Sequence, residues 1–216
     1  MKKKIIGMIL VAGMMTAFVG CGKNGTTNEV DTSSIAAVDE AQVENIDTAK
    51  PATADENGNY LINGSFEEPD FTGWTVTNIN DVTEELNVYD RATDCFDGIQ
   101  SLHFYSGSSN VDFSAEQTVN GLEDGTYKLT AHIQGDAAGD ENAQAYFYAL
   151  VDGKEVKVDG ELNGYVNWYT AELPGIIPTD GKITVGIRVS AAPGAWGTID
   201  DISLIKETSY EKSTIN

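Results

Sequence analysis

Residues 60–74, YLINGSFEEPDFTGW, decide how the fold is read. An apolar pair, Leu61 and Ile62, runs into an Asn63-Gly64 turn. Phe66 then stands beside Glu67, and the stretch closes on Gly73-Trp74. The segment just before it is polar and carries no aromatic residue between Gly22 and Asn59, whereas the chain after it reads as short strands and turns. A matching piece, residues 196–205, WGTIDDISLI, lies near the other end. An opening strand and a closing strand pair or neighbour each other in a β-sandwich. That arrangement would bring Glu67 toward Asp200 or Asp201.

Between these two segments the apolar residues alternate. Leu102 and Phe104 alternate with His103 and Tyr105, and Tyr127, Leu129, Ala131 and Ile133 with Lys128, Thr130, His132 and Gln134. Ala145, Phe147 and Ala149 alternate with Tyr146 and Tyr148, and Ile183, Val185, Ile187 and Val189 with Thr184, Gly186, Arg188 and Ser190. Period-2 runs broken by Asp-Gly and Asn-Gly turns predict antiparallel strands with one buried face. No window carries a convincing helical period. The fold class is therefore all-β: a two-sheet antiparallel sandwich or jelly roll, in one domain spanning residues 60–207 with a short tail, 208–216.

The parity opposite the core is the informative one. It presents His103 and Tyr105, His132 and Gln134, Tyr146 and Tyr148, and Arg188. A solvated sheet face normally carries Thr, Lys and Glu, so aromatics and planar polar groups on one parity point to a binding surface. Sugars suit it: their C–H faces stack on rings, and planar side chains bridge neighbouring hydroxyls. The alternative is that some of these tyrosines form a minor core under a loop. Trp74 follows a glycine turn and reads as core. Trp168, at a loop-to-strand junction, and Trp196, in a Pro-Gly loop, are open to either ligand stacking or edge packing.

The N-terminus carries an address. Lys2, Lys3 and Lys4 precede an apolar run, residues 5–19, of signal-peptide length. The run ends in Phe18-Val19-Gly20-Cys21, which resembles a bacterial lipobox and implies lipidation of Cys21; an ordinary secretory signal cut elsewhere is the alternative. Residues 1–21 are thus read as a targeting segment and the chain as exported and lipid-anchored to the outer face of a bacterial membrane. Residues 22–59 are too polar to offset the entropy of ordering and read as a disordered tether. Its r.m.s. span would be ~30–35 Å by the random-coil rule. The chain has two cysteines, so lipidation of Cys21 leaves Cys95 without a disulfide partner. A net charge of −21 argues against nucleic acid and is indifferent to a neutral polysaccharide.

No HExxH, GxSxG, P-loop or dinucleotide fingerprint occurs, and carboxylates are too abundant for a catalytic pair to be singled out. Glu67 and Asp200 suit a hard cation better, with calcium joining the terminal segments; two solvated acids near a sheet edge are the alternative.

Three blocks together carry a family resemblance: NGSFEEPDFTGW at residues 63–74, SLHFYS with AEQTVNGLEDGTYKLTAHIQG at residues 101–135, and WGTIDDISLIK at residues 196–206. They resemble a carbohydrate-binding module of the galactose-binding-domain-like jelly-roll fold, nearest to the family 61 modules appended to endo-β-1,4-galactosidases. The resemblance implies a β-sandwich with a structural calcium and non-catalytic binding of β-1,4-galactan. It implies Glu67 and Asp200 as calcium side chains, with backbone oxygens near Ser65 and Gln100 completing the shell. No catalytic domain accompanies the module here, so partner glycoside hydrolases or transporters are expected to act on what it holds. A protein-interaction scaffold and a small enzyme on the same glycans are the competing classes.

Overall fold

The computed structural model describes residues 50–208, and the targeting segment, Cys21 and nearly all of the tether lie outside them. Ten strands follow one another: β1 (Thr75–Asn78), β2 (Glu85–Asp90), β3 (Gln100–Tyr105), β4 (Val111–Asn120) and β5 (Tyr127–Asp136). Then come β6 (Gln144–Val151), β7 (Lys154–Asp159), β8 (Gly164–Ile176), β9 (Lys182–Ala191) and β10 (Trp196–Lys206). They form two five-stranded antiparallel sheets, ordered β1-β4-β9-β6-β7 and β2-β3-β10-β5-β8. This is the expected two-layer sandwich.

The alternation in sequence becomes alternation in burial. In β4, Val111, Phe113, Ala115, Gln117 and Val119 face inward, and the residues between them face out. The two inner faces meet over Phe104, Phe113, Phe147, Tyr127, Leu102, Ile133, Ile187 and Ile199, all fully buried. Burying each such side chain contributes roughly 1.5–3 kcal/mol. Trp74 joins this core as expected, 5.6 Å from Phe66, with its indole N–H donated to the Asn63 carbonyl. The predicted Asp152-Gly153 turn links β6 to β7 with both residues at positive φ, as a tight two-residue hairpin requires.

The opening segment differs from its expected form. It lies beside β10, with Tyr60 N–H donating to Leu204 O and Ile202 N–H donating to Gly64 O, yet it is a chain of turns and not a strand. Asn63, Phe66, Asp70 and Gly73 all adopt positive φ, which a strand does not tolerate. Buried Gln117 supplies the missing ladder: its side-chain amide accepts from Ile62 N–H at 2.7 Å and donates to Ile62 O at 2.9 Å. A polar residue on the inward parity of β4 is thereby satisfied.

Packing also begins earlier than residue 60. Ala52 N–H donates to Gly121 O, and Asn59 pairs with Ile205. The Asn59 side chain accepts from Leu61 and Leu204 N–H and donates to Ile202 O. Residues 52–59 therefore belong to the sandwich edge, not to the tether.

Candidate functional site

The central strand of the second sheet organises one outer face. Register sets Trp196 between Tyr105 and Asp136, Thr198 between His103 and Gln134, and Asp200 opposite His132. Residues 91–99, which join β2 to β3, fold back over part of this face. Two acids hold them there. Asp200 accepts from the N–H groups of Phe96 (2.8 Å) and Asp97 (3.1 Å), and Glu67 accepts from those of Ile99 (2.8 Å) and Gln100 (2.9 Å). Gly98 sits between the two clamps at φ +66°, where an added Cβ would lie 2.1 Å from the Glu67 carboxylate and push that clamp aside.

Gln134 makes a third anchor. Its amide accepts from Val166 N–H at 2.6 Å and donates to Thr198 Oγ1 at 3.1 Å. Tyr165 adds a fourth, donating its hydroxyl to Asp94 at 3.0 Å. The Phe96 ring lies flat on His132 with centroids 3.5 Å apart, and Trp168 meets it edge-on at 5.6 Å. Tyr165 leans on Trp196 at 6.3 Å, and Tyr89 stacks on His103 at 4.4 Å. An aromatic belt thus crosses the face, with Phe96 44% and Tyr165 50% exposed and Trp168, Trp196 and Tyr105 half-buried.

Burial pushes both histidines below the usual imidazole pKa, keeping them neutral at pH 7. Desolvation also raises the fully buried Asp200 carboxyl, to about 7, although three backbone N–H groups oppose the shift.

Several sequence expectations change at this point. Tyr105, Trp168, Trp196, His103, His132 and Gln134 do share one side of the second sheet. Tyr146, Tyr148 and Arg188 lie on β6 and β9 of the first sheet, so they face the opposite side of the sandwich. The expected single binding face is therefore two. Gln134 is fully buried and its amide engaged, and His132 is covered by Phe96, so both support the surface instead of presenting to solvent. Arg188 is engaged too, paired with Asp112 and donating to Phe113 O. Trp196 opens β10 and Trp168 lies within β8; neither is a loop residue. Phe96, Tyr165 and Tyr89 escaped the sequence reading. Phe96 and Tyr165 lie in stretches without strand periodicity, and only the fold brings them onto the belt.

Cys95 is half-buried, with its thiol 3.3 Å from the Arg91 carbonyl, and burial raises its pKa. The surroundings match an unreactive packing residue.

The calcium expectation is tested by the donors around the clamps. Among the described residues no group of three or more His, Cys, Asp or Glu converges, so side-chain carboxylates alone do not build a metal cage. Hard oxygen donors are present instead. Glu67 and Asp200 hold the same turn, Gln100 Oε1 is buried without a hydrogen-bond partner, and Ser65 lies two residues before Glu67. These are oxygen donors of the type a hard cation takes, and they lie on either side of the residue 91–99 segment.

No family model and no curated protein matches the sequence. Among solved structures, the carbohydrate-binding module TmCBM61, in complex with β-1,4-galactotriose, is 25% identical with a TM-score of 0.61. That alignment covers 69% of this chain and 99% of that one. The enzymatically active domain of tailspike protein 4 of bacteriophage CBA120 aligns at 12% identity and a TM-score of 0.51, over 69% of this chain and 22% of its own; this is a likeness of fold alone. A family 16 carbohydrate-binding module is 16% identical over 68% of this chain and 99% of its own, at a TM-score of 0.48, too loose to argue from. The match over nearly all of TmCBM61 makes the folded part of this chain similar to a family 61 carbohydrate-binding module.

Proposed function

We propose that this chain is a non-catalytic glycan-binding protein, lipid-anchored through Cys21 to the outer face of a bacterial membrane. We propose β-1,4-galactan or a related galactose-containing polysaccharide as its ligand. The observation that carries the reading is the exposed aromatic belt on the second sheet, seated on a surface that four anchors hold rigid. Rings fixed in place before binding lose little entropy when a sugar stacks on them. The galactotriose bound by TmCBM61 supports galactan as the ligand.

Binding rests on this chain's own side chains. Trp196 and Tyr105 offer adjacent rings across β10 and β3, and Trp168 and Phe96 offer a second platform beside β8. The neutral imidazole of His103, stacked under Tyr89 and beside Glu85, borders the belt. Nothing in this arrangement calls on net charge, so affinity should hardly change with salt. A calcium ion held by Glu67, Asp200 and oxygens of Ser65 and Gln100 would fix the residue 91–99 segment in place. Its part is structural. The lipid anchor would keep bound galactan near partner hydrolases or transporters.

Affinity electrophoresis in galactan-containing gels, with a reducing-sugar assay in parallel, tests the proposal. Retardation without sugar release is the expected result. Unretarded migration would remove the ligand, and sugar release would remove the non-catalytic reading. Cys21→Ala should move the protein out of the membrane fraction.

A further inference from the structure

Strand register fixes the backbones of Tyr105 and Trp196 side by side, with Tyr105 paired to Trp196 on one flank and to Glu85 on the other. It does not fix the angle of their rings. Tyr105 closes β3 and Trp196 opens β10, so each adjoins a turn outside the ladder. The turn after Tyr105, residues 106–110, reads Ser-Gly-Ser-Ser-Asn and has no apolar side chain to pack it down. A single carboxylate holds it.

Glu84, one residue before β2, accepts from the N–H groups of Gly107, Ser108 and Ser109 at 3.0, 3.0 and 3.1 Å, and from the Ser108 hydroxyl. That hydroxyl above all, and then the turn's N–H groups, hold the Glu84 carboxyl down to about 2, so it stays ionised at any ordinary pH. The stitching continues around it. Glu84 N–H donates to the hydroxyl of the fully buried Ser106 at 2.9 Å, and the Ser109 hydroxyl donates to Val82 O at 2.7 Å. Residues 82–84 and 106–110, distant in sequence, are thus sewn together through side chains and backbone alike.

The held turn reaches the belt in two places. Gly107 lies at the tip of Tyr105: a Cβ there would be 2.7 Å from the phenol oxygen and 3.3 Å from the ring carbon that bears it. Gly107 is not at positive φ, so the ring and not the backbone calls for the missing side chain. Ser106 leads to the other ring. Its carbonyl accepts from Gly194 N–H at 2.7 Å, and its N–H donates to Ala195 O at 3.2 Å, directly before Trp196. A binding site tolerates only about 0.5 Å of error in the groups that meet its ligand, so a loosened turn would reach the sugar through both rings.

We propose that Glu84 is a positioning residue of the glycan site: by capping the 106–110 turn it sets the Tyr105 ring and, through Ser106, the chain entering Trp196. The proposal rests on the reading of the aromatic belt as the sugar platform. Calorimetric titration of the full chain with β-1,4-galactotriose, well below its melting range, tests it. Glu84→Ala should weaken binding about tenfold. Glu84→Gln, which keeps one acceptor oxygen, should weaken it less. Glu123→Ala removes the same charge from an exposed residue paired with Lys206 and should bind like the parent. Gly107→Ala, the second variant should Glu84→Ala fold poorly, leaves the carboxylate and its donors in place and pushes only on the tip of Tyr105. It should weaken binding in the parent and much less in a Tyr105→Phe background, where the phenol oxygen is gone. A cap that only stabilised the fold would lower the Tm of Glu84→Ala and leave its affinity at the parent's value. That result, or an equal effect of Gly107→Ala in both backgrounds, would overturn the proposal and leave the belt standing. No binding by the parent would overturn the belt reading and the proposal with it.

Discussion

The two outer faces of the sandwich start from the same alternation and end as different surfaces. The first sheet leaves its outer face bare: Tyr146, Tyr148 and Arg188 are tied to one another's neighbours by side-chain contacts across three strands. The second sheet carries the residue 91–99 segment on its back, held by backbone amides pointed at two acids distant in sequence. Side-chain contacts tune a surface that the ladder already fixes. The clamped segment has no ladder, so its position depends wholly on a few groups. Removing one clamp should therefore do far more than removing one tie.

The largest effect is expected from Asp200→Ala. It strands the N–H groups of Phe96, Asp97 and Asp201 and should cost roughly 3 kcal/mol or more of stability. The midpoint of urea unfolding measures it. A loss below about 1 kcal/mol would mean that the segment is held elsewhere and that the contrast between the faces is false.

Trp196→Ala comes next, and it acts on binding. Truncating a stacking ring should weaken galactan binding by about 1–3 kcal/mol while leaving unfolding nearly unchanged. Equal affinity in a folded variant would place the sugar off the belt.

Chelation sharpens the comparison from the cation's side. If calcium ties the clamps, EDTA should lower the Tm by a few degrees, because a ligand held only by the folded state stabilises it. The effect should depend on pH. The Asp200 carboxyl is raised from 3.8 to about 7 by burial, so between those values the folded chain holds a proton that the unfolded chain has released. Cation-free stability should thus fall as pH rises through that window, and the increment from calcium should grow over the same range. Thermal melts at pH 5 and pH 8, with and without EDTA, read it directly. An increment that shrinks with pH would detach calcium from Asp200.

Arg188→Ala should do least. The half-buried pair with Asp112 is worth about 1 kcal/mol, and its loss should not change amide exchange at Phe96 or Asp97 on the far side. Faster exchange there would show that the two faces are coupled.

This contrast also marks how far the sequence could be read. Alternation placed Leu102, Ile133, Phe147 and Ile187 inward correctly, because period 2 reports which side of a strand a residue occupies. It does not report which sheet the strand joins. His132 and Tyr146 share a parity, but β5 enters one sheet and β6 the other, so the face imagined as one was divided. The clamps were half-visible: Glu67 and Asp200 stood out as acids on the opening and closing segments, whereas their partners at residues 96–100 have no period and are 30 to about 100 positions away. The opening segment misled through Leu61 and Ile62, whose apolar character suggested a strand that the positive φ of Asn63 and Phe66 forbids.

Strand β10 has a mechanical meaning. Trp196 stands at one tip and Lys206 at the other, about 33 Å apart at ordinary strand rise. The incoming chain docks at the far tip, where Asn59 pairs with Ile205 and Ala52 bonds to Gly121. A tug between the belt and the incoming chain runs lengthwise along β10. β5 pairs with β10 toward both tips and β3 along Trp196–Ile199, so these bonds are loaded in shear and do not open one at a time like a zip.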